Sequence, residues 1–342
     1  MDRSNIQSIM DQLLDACTPR ISPAVAPDWA ASPRNKKTVA EIADHLLAIL
    51  GPPQATKHAR ARLLRRWSLI EENLTEAIVQ ARRSRRDPSQ PDDSRRWAEN
   101  VVQGFLVSLP ELKTMAKQDT EAMFEADPAL TDPRDVWITP GIQAITIYRA
   151  AHHLEKLGVP CIPRMMTESA HSKWQIDIHP GATIGPRFCI DHGTGVVIGE
   201  TVQIGSNVRL YQGVTLGALT FPKDEHGDLL RGPLVKRHPT LEDNVIVYAS
   251  ASILGGDTVV GRGTVIGSNV RLTESVGPDM FVRVDKPNFR VDRFRPFGPW
   301  PVQPPVTISE DYLMRKALSE YPDDGNPNCG DGDEIDWPPK RQ

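Results

Sequence analysis

An α-helical domain followed by a parallel β-helix, an α+β chain, is the fold that this sequence predicts, and three observations predict it. Apolar residues recur at helical spacing from Lys37 to about Trp174, the spacing switches to a six-residue beat at Ile176, and a proline-rich, acidic stretch follows Asp285. The expected domains are a weakly structured N-terminus over 1–36, a helical domain over 37–175, the β-helix over 176–284 with an extruded loop at 219–235, and an extended or partly disordered tail over 285–342.

The helices come first. Ala40, Ile42, Ala43, Leu46, Leu47 and Leu50 fall at spacings of three and four, as do Leu63, Leu64, Trp67, Ile70 and Leu74. Val101, Val102, Phe105, Leu106 and Leu109 mark a third helix that Pro110 is expected to interrupt. Ile145, Tyr148, Ala151 and Leu154 mark a fourth, with Gly158 as its stop. Between the second and third, Arg82 to Arg96 reads as a solvated connection, because its acidic residues interleave with the arginines.

Seven aliphatics then stand at intervals of six: Ile178, Ile184, Ile190, Val196, Val202, Val208 and Val214. A second register runs alongside through Ile198, Ile204, Leu210 and Leu216, and the beat resumes with Leu241, Val247, Ile253, Val259 and Val265. No helix has this period; six residues suit one short strand and one turn, and three such units close a coil of roughly 18 residues. Gly185, Gly199, Gly205 and Gly217 suit turns that need positive φ or close backbone approach. Leu219 to Val235 has no beat, so it must leave the coil and return, and such loops often carry function.

Composition narrows the function. The 342 residues carry 40 Lys and Arg against 44 Asp and Glu, a formal net charge of −4, which excludes bulk attraction to nucleic acid or anionic membrane as the working assumption. The four cysteines (Cys17, Cys161, Cys189 and Cys329) form no C-x-x-C pair, and no apolar run approaches a membrane span. With no signal peptide expected at Met1, the prediction is a cytoplasmic protein.

One residue breaks the pattern. The hexad reserves position 192 for an aliphatic, six before Ile198, and the sequence places His192 there. Asp177 lies close to one coil earlier, where a carboxylate on the neighbouring rung could orient the imidazole and leave its other nitrogen as a base. The same spacing also fits a buried histidine satisfied by an aspartate. His179, at a coil start, reads as structural, and His238 with Arg237, where the loop rejoins the coil, reads by itself as a surface pair.

The stretch from Ile176 to Leu216, with its Asp-His-Gly-Thr-Gly-Val-Val-Ile-Gly-Glu element from Asp191 to Glu200, resembles the signature of the serine O-acetyltransferases. The likeness continues through Gly217-Ala218, Arg237-His238-Pro239 and Ala251 to Gly255, and upstream in Asp127-Pro128-Ala129, covering about 127–276. This resemblance implies a left-handed β-helix, with acetyl-CoA as co-substrate, L-serine as acceptor and no metal. It implies His192 as general base, Asp177 as its orienting carboxylate, Asp127 and Asp191 on the serine ammonium, and Arg237 with His238 on its carboxylate. Backbone around Gly217 and Ala249 would line the acetyl-CoA groove. A homotrimer or dimer of trimers, and a place at the committed step toward cysteine, are implied too. Two departures stand out: Asp285-Lys-Pro-Asn-Phe-Arg replaces the usual Gly-Val-Pro-Ala ending, and Lys340-Arg341-Gln342 replaces a terminal isoleucine, so no stable cysteine synthase complex is expected.

Three rivals remain. A sugar or other hydroxyl acceptor on the same coil would have no ammonium or carboxylate for Asp127 and Arg237–His238 to match. A zinc lyase of the carbonic-anhydrase type would need three converging histidines, typically with an H-x-x-x-x-H pair, which is absent between Ile176 and Val276. A catalytically silent rod is the third.

Overall fold

The computed structural model describes residues 32–52, 58–85, 89, 91–221, 223–230 and 235–285. The expectations for the first 31 residues and for the tail beyond Asp285, including its last three residues, lie outside them. The helical part comprises α1 (Pro33–Leu50), α2 (Ala59–Arg83), α3 (Ser94–Ala126), a 3₁₀ turn (Asp135–Ile138), α4 (Pro140–Lys156) and α5 (Ile162–Trp174). Ile42, Leu46, Ile70, Leu74, Ile78, Phe105 and Leu106 form its core, each side chain contributing about 1.5–3 kcal/mol by leaving water. The first turns of α2 leave Leu63, Leu64 and Trp67 exposed.

Pro110 does not interrupt its helix: α3 runs through it for 33 residues. The missing N–H costs about 3 kcal/mol, and burial of Phe105, Leu106, Leu109 and Leu112 on both sides offsets it. Gly158 does end α4, at φ 74°, where Val159 N–H reaches the Leu154 carbonyl. In the arginine-rich connection, Arg82 pairs with Asp93 at 2.8 Å and Arg83 with Asp92 at 2.7 Å. Among the described residues no helix is long and apolar enough to cross a membrane.

From Ile176 the chain winds into a coil of short parallel strands on three faces. Face A holds β1 (Ile176–Ile178), β4 (Val196–Ile198), β7 (Thr215–Gly217), β10 (Ser252–Leu254) and β13 (Arg271–Leu272). Face B holds β2 (Thr183–Ile184), β5 (Gln203–Ile204), β8 (Thr240–Leu241) and β11 (Val259–Val260). Face C holds β3 (Cys189–Ile190), β6 (Arg209–Leu210), β9 (Ile246–Val247), β12 (Val265–Ile266) and β14 (Phe281–Val282).

Register explains the beat and corrects it. Each strand points one residue inward, and the residue two before it points inward as well, as Ala182 with Ile184 and Phe188 with Ile190 show. The two sequence registers are these two inward positions. Ile178 pairs with Ile198, a coil of twenty residues, while Ile198 pairs with Leu216, a coil of eighteen. The two extra residues lie in the turn from Asp191 to Gly195, between Ile190 and Ile198. Because two is also the spacing between inward positions, the six-residue beat continues unbroken while switching from one position to the other. Position 192 is therefore not a core slot. Further on, the Gly255-Gly256 turn adds one residue, and Val260 and Ile266 are buried where the beat marks Val259 and Val265.

The glycines act through close approach. None of Gly185, Gly199, Gly205 and Gly217 has positive φ; the left-handed corners are taken instead by residues such as Arg187, Asn207, Asn244 and Asn269. A Cβ at Gly185 would stand 2.6 Å from the Gly205 carbonyl oxygen of the next rung.

The helices are stapled to the coil at the corner between faces B and C. Arg149 on α4 donates Nε and Nη2 to Asp119 on α3, at 2.6 and 2.8 Å, and reaches the carbonyls of Ile184 and Gly185. Asp119 also accepts the Phe188 N–H at 2.9 Å. Both side chains are fully buried. Burial pushes the Asp119 carboxyl up from its usual range, while the guanidinium and the N–H pull it down.

Candidate active site

Face A has two edges, and most of the residues singled out by sequence lie on them. At the C–A corner, Asp191 follows β3 directly and is mostly buried, with its side chain 15% exposed. Its neighbour His192 sits at φ 59° with 72% of its side chain exposed, Nδ1 4.0 Å from Asp191 Oδ1. The two-residue bulge throws the imidazole outward. Asp127 caps the end of α3, where its Oδ1 accepts the Ala129 N–H at 2.9 Å. Arg209 of β6 donates to the carbonyl of Ala126, one residue before it, and so ties that end of α3 to face C. Higher on the same corner Tyr211 and Tyr248 stack with centroids 5.0 Å apart, beside Ala249.

Asp177 and His192 are not joined within the chain. The twenty-residue first coil places Val197, not His192, beside Asp177. No hydrogen bond or ion pair among the described residues connects the two; Asp177 lies 3.7 Å from Arg164 on α5. Arg164 also pairs with Glu168. Glu168, His171 and Asp177 offer ligand atoms within 4.8 Å of one another, but the Arg164 guanidinium pairs with both carboxylates and already meets their charge.

The A–B corner is built much more tightly. The loop returns here with Lys236, Arg237 and His238. The Arg237 guanidinium pairs with Glu200, and the Arg237 and His238 N–H groups donate to Thr201 Oγ1 at 3.0 and 3.1 Å. Lys236 Nζ bonds the carbonyls of His238 at 2.8 Å and Thr201 at 3.2 Å. His238 is buried, and its burial with the nearby Arg237 cation lowers its pKa to about 4. His179, two rungs below, is likewise pushed down by burial, and its Nδ1 accepts the Gly181 N–H at 3.0 Å. Gly217 ends β7 at this edge, its carbonyl accepting from Gly255. Sequence reasoning missed Glu200 and Thr201, although both stand in or directly after the Gly-Glu ending of the element from Asp191. Nothing in one sequence marked Arg164.

The comparisons with known proteins agree on one family. No family model matches the chain. It is 48% identical over 202 residues to the plasmid-borne serine acetyltransferase of Synechococcus elongatus, covering 59% of this chain and 62% of that protein. It is 36% identical over 209 residues to the serine acetyltransferase of Mycobacterium tuberculosis, covering 60% of this chain and 86% of that protein. The chain belongs to the serine acetyltransferase family. A solved serine acetyltransferase, isoform 3 of Entamoeba histolytica in complex with cysteine, superposes with a TM-score of 0.62 at 30% identity, covering 75% of this chain and 84% of that one. A helical region leading into a β-helix is therefore the architecture of a serine acetyltransferase, and the left-handed coil expected from the sequence agrees with it.

Proposed function

We propose that this chain transfers an acetyl group from acetyl-CoA to the hydroxyl of L-serine, giving O-acetyl-L-serine and CoA. The observation that carries the reading is the pairing of unlike corners on one face: an acid, Asp191, beside the exposed His192 at one edge, a positioned arginine and histidine at the other. A free amino acid presents an ammonium and a carboxylate, and the two edges supply the complements. Asp127 and Asp191 hold the ammonium, Arg237 and His238 the carboxylate, and His192 takes the hydroxyl proton as the oxygen attacks the thioester carbonyl. The proton then goes to the departing thiolate. Asp177, which no bond among the described residues joins to His192 within one chain, orients an imidazole only once copies assemble, and backbone at Gly217 and Ala249 lines the acetyl-CoA groove.

The two edges flank face A and face apart in one chain, so the site is completed between copies. A triangular prism that sets its C–A edge against a neighbour's A–B edge makes a heterologous contact that closes after three copies. The chain acts as a homotrimer on this reading, in the cytoplasm, where the free thiols Cys161 and Cys189 stay reduced. Cysteine, which the Entamoeba enzyme holds, has the same two charged ends and competes with serine.

A thiol-release assay with acetyl-CoA and a panel of amino acids and sugars tests the proposal. Release is expected with L-serine and not with sugars, and serine amide should be a poor acceptor. A sugar used as well as serine, or equal use of serine and its amide, would overturn it.

A further inference from the structure

We propose that Thr201 is a positioning residue whose hydroxyl and backbone N–H fix His238 as the neutral imidazole with its proton on Nε2, so that His238 meets the acceptor as a hydrogen-bond donor rather than as a base or a cation. The hydrogen bonds at the hydroxyl are fully committed. Thr201 Oγ1 accepts from the N–H of Arg237 at 3.0 Å and of His238 at 3.1 Å, which uses both lone pairs. Its single proton is left for His238 Nδ1, 2.8 Å away. The Thr201 N–H points at the same ring nitrogen from 3.1 Å and can only donate. A nitrogen facing two donors cannot carry a proton of its own, so the proton of the neutral ring is on Nε2.

The seat of the ring is equally specific. A Cβ at Gly199 would stand 2.2 Å from both Nε2 and Cδ2 of His238, so only glycine lets the imidazole lie there. The charged and titratable groups around the ring are Arg237 and Lys236 on the returning strand of the loop, Glu200 at the corner and His179 two rungs below. Of these only Glu200 favours a charged ring, and it is held by Arg237. The consequence reaches the proposed chemistry. With His238 held neutral by its hydrogen bonds, the two histidines of the site have separate roles: His192 moves the proton and His238 binds. A neutral donor beside Arg237 suits one carboxylate oxygen while the guanidinium holds the other.

The inference rests on the serine reading for what His238 touches, but its first test needs no substrate. Nitrogen NMR of histidine-labelled protein, with H238Q used to assign the resonance, should show Nε2 protonated and Nδ1 bare from pH 5.5 to 8. A ring with its proton on Nδ1, or one that titrates like a free histidine, overturns the proposal whatever the enzyme acetylates. Kinetics then sharpen it. T201V should raise the KM for serine by about tenfold, as His238 loses its hold on the serine carboxylate and with it one hydrogen bond to a charged group, with the KM for acetyl-CoA unchanged. T201S, which keeps the hydroxyl, should restore both the resonance and the KM. A T201V protein with an unaltered His238 resonance and serine KM would remove Thr201 from this role. If T201V fails to fold, the wild-type spectrum and T201S still decide.

Discussion

The two edges of face A are made in opposite ways. At the A–B corner Glu200, Thr201, Lys236, Arg237 and His238 are tied to one another by hydrogen bonds and an ion pair within the chain, and His238 is buried. At the C–A corner His192 stands in solvent on a bulged turn, and the carboxylate expected to orient it pairs with Arg164 instead. On the proposed reading, binding geometry is fixed by the fold of one chain, and the reacting group is left to be enclosed by another. A general base gains little while hydrated, because water around it competes for the same hydrogen bond and weakens each electrostatic contact.

The predictions break or sharpen this contrast. The largest effect belongs to the exposed edge: H192A should lower kcat by on the order of 10²–10⁴, the range for a positioned base, while acetyl-CoA binding survives. Steady-state kinetics on the folded variant decide, and turnover within a few-fold of wild type would end the assignment. D177N should cost less, since it disturbs orientation and leaves the proton acceptor in place.

At the third corner, D119A leaves the Arg149 guanidinium buried and unpaired, so denaturant melts should show about 3–5 kcal/mol of destabilisation. If the A–B corner is self-sufficient, the serine KM of this variant should not move. A large change would mean that the corner depends on the docked helices.

The rigid edge should report itself through binding. R237A should raise the serine KM by about 10–100-fold, equivalent to about 1.5–3 kcal/mol, with little change in the KM for acetyl-CoA. It should also discriminate less between serine and serine amide.

The smallest effect is on pH dependence. His238 is held neutral down to about 4, whereas an unfolded histidine gains its proton near 6.5. Between these values the unfolded chain binds more protons, so stability is fully present above pH 6.5 and is lost as the pH falls toward 4, by on the order of 1–3 kcal/mol. His152 and His179, both pushed down by burial, act in the same direction. Melts of wild type and H238Q across this window should converge at low pH; parallel curves would show that His238 is not the buried neutral group described.

Much of the fold was legible because a solenoid writes its period into the chain. Ile178 to Val214 announced the coil, and Gly158 announced the end of α4. The exact register was hidden by a coincidence: a two-residue bulge equals the spacing between the two inward positions, so the beat passes through the Asp191–Gly195 turn without a mark. His192 was singled out as an intruder in a core slot, and it is instead the outward residue of that bulge. Pro110 misled because propensity speaks for one residue, whereas the buried Phe105, Leu106, Leu109 and Leu112 hold the helix on both sides of it. Glu200 and Thr201 were invisible as partners, since 36 or 37 residues and an extruded loop separate them from Arg237 and His238 in the chain.

The central claim is that His192 of one copy works with Arg237 of another. Mixing H192A and R237A chains, unfolded together and reassembled at equal amounts, tests it directly. In a three-membered ring every mixed trimer regains one intact site of three, so random assembly should restore about a quarter of the wild-type rate from two nearly inactive parents. A rate no greater than the sum of the separately reassembled parents would place both residues in one chain's site and contradict the account.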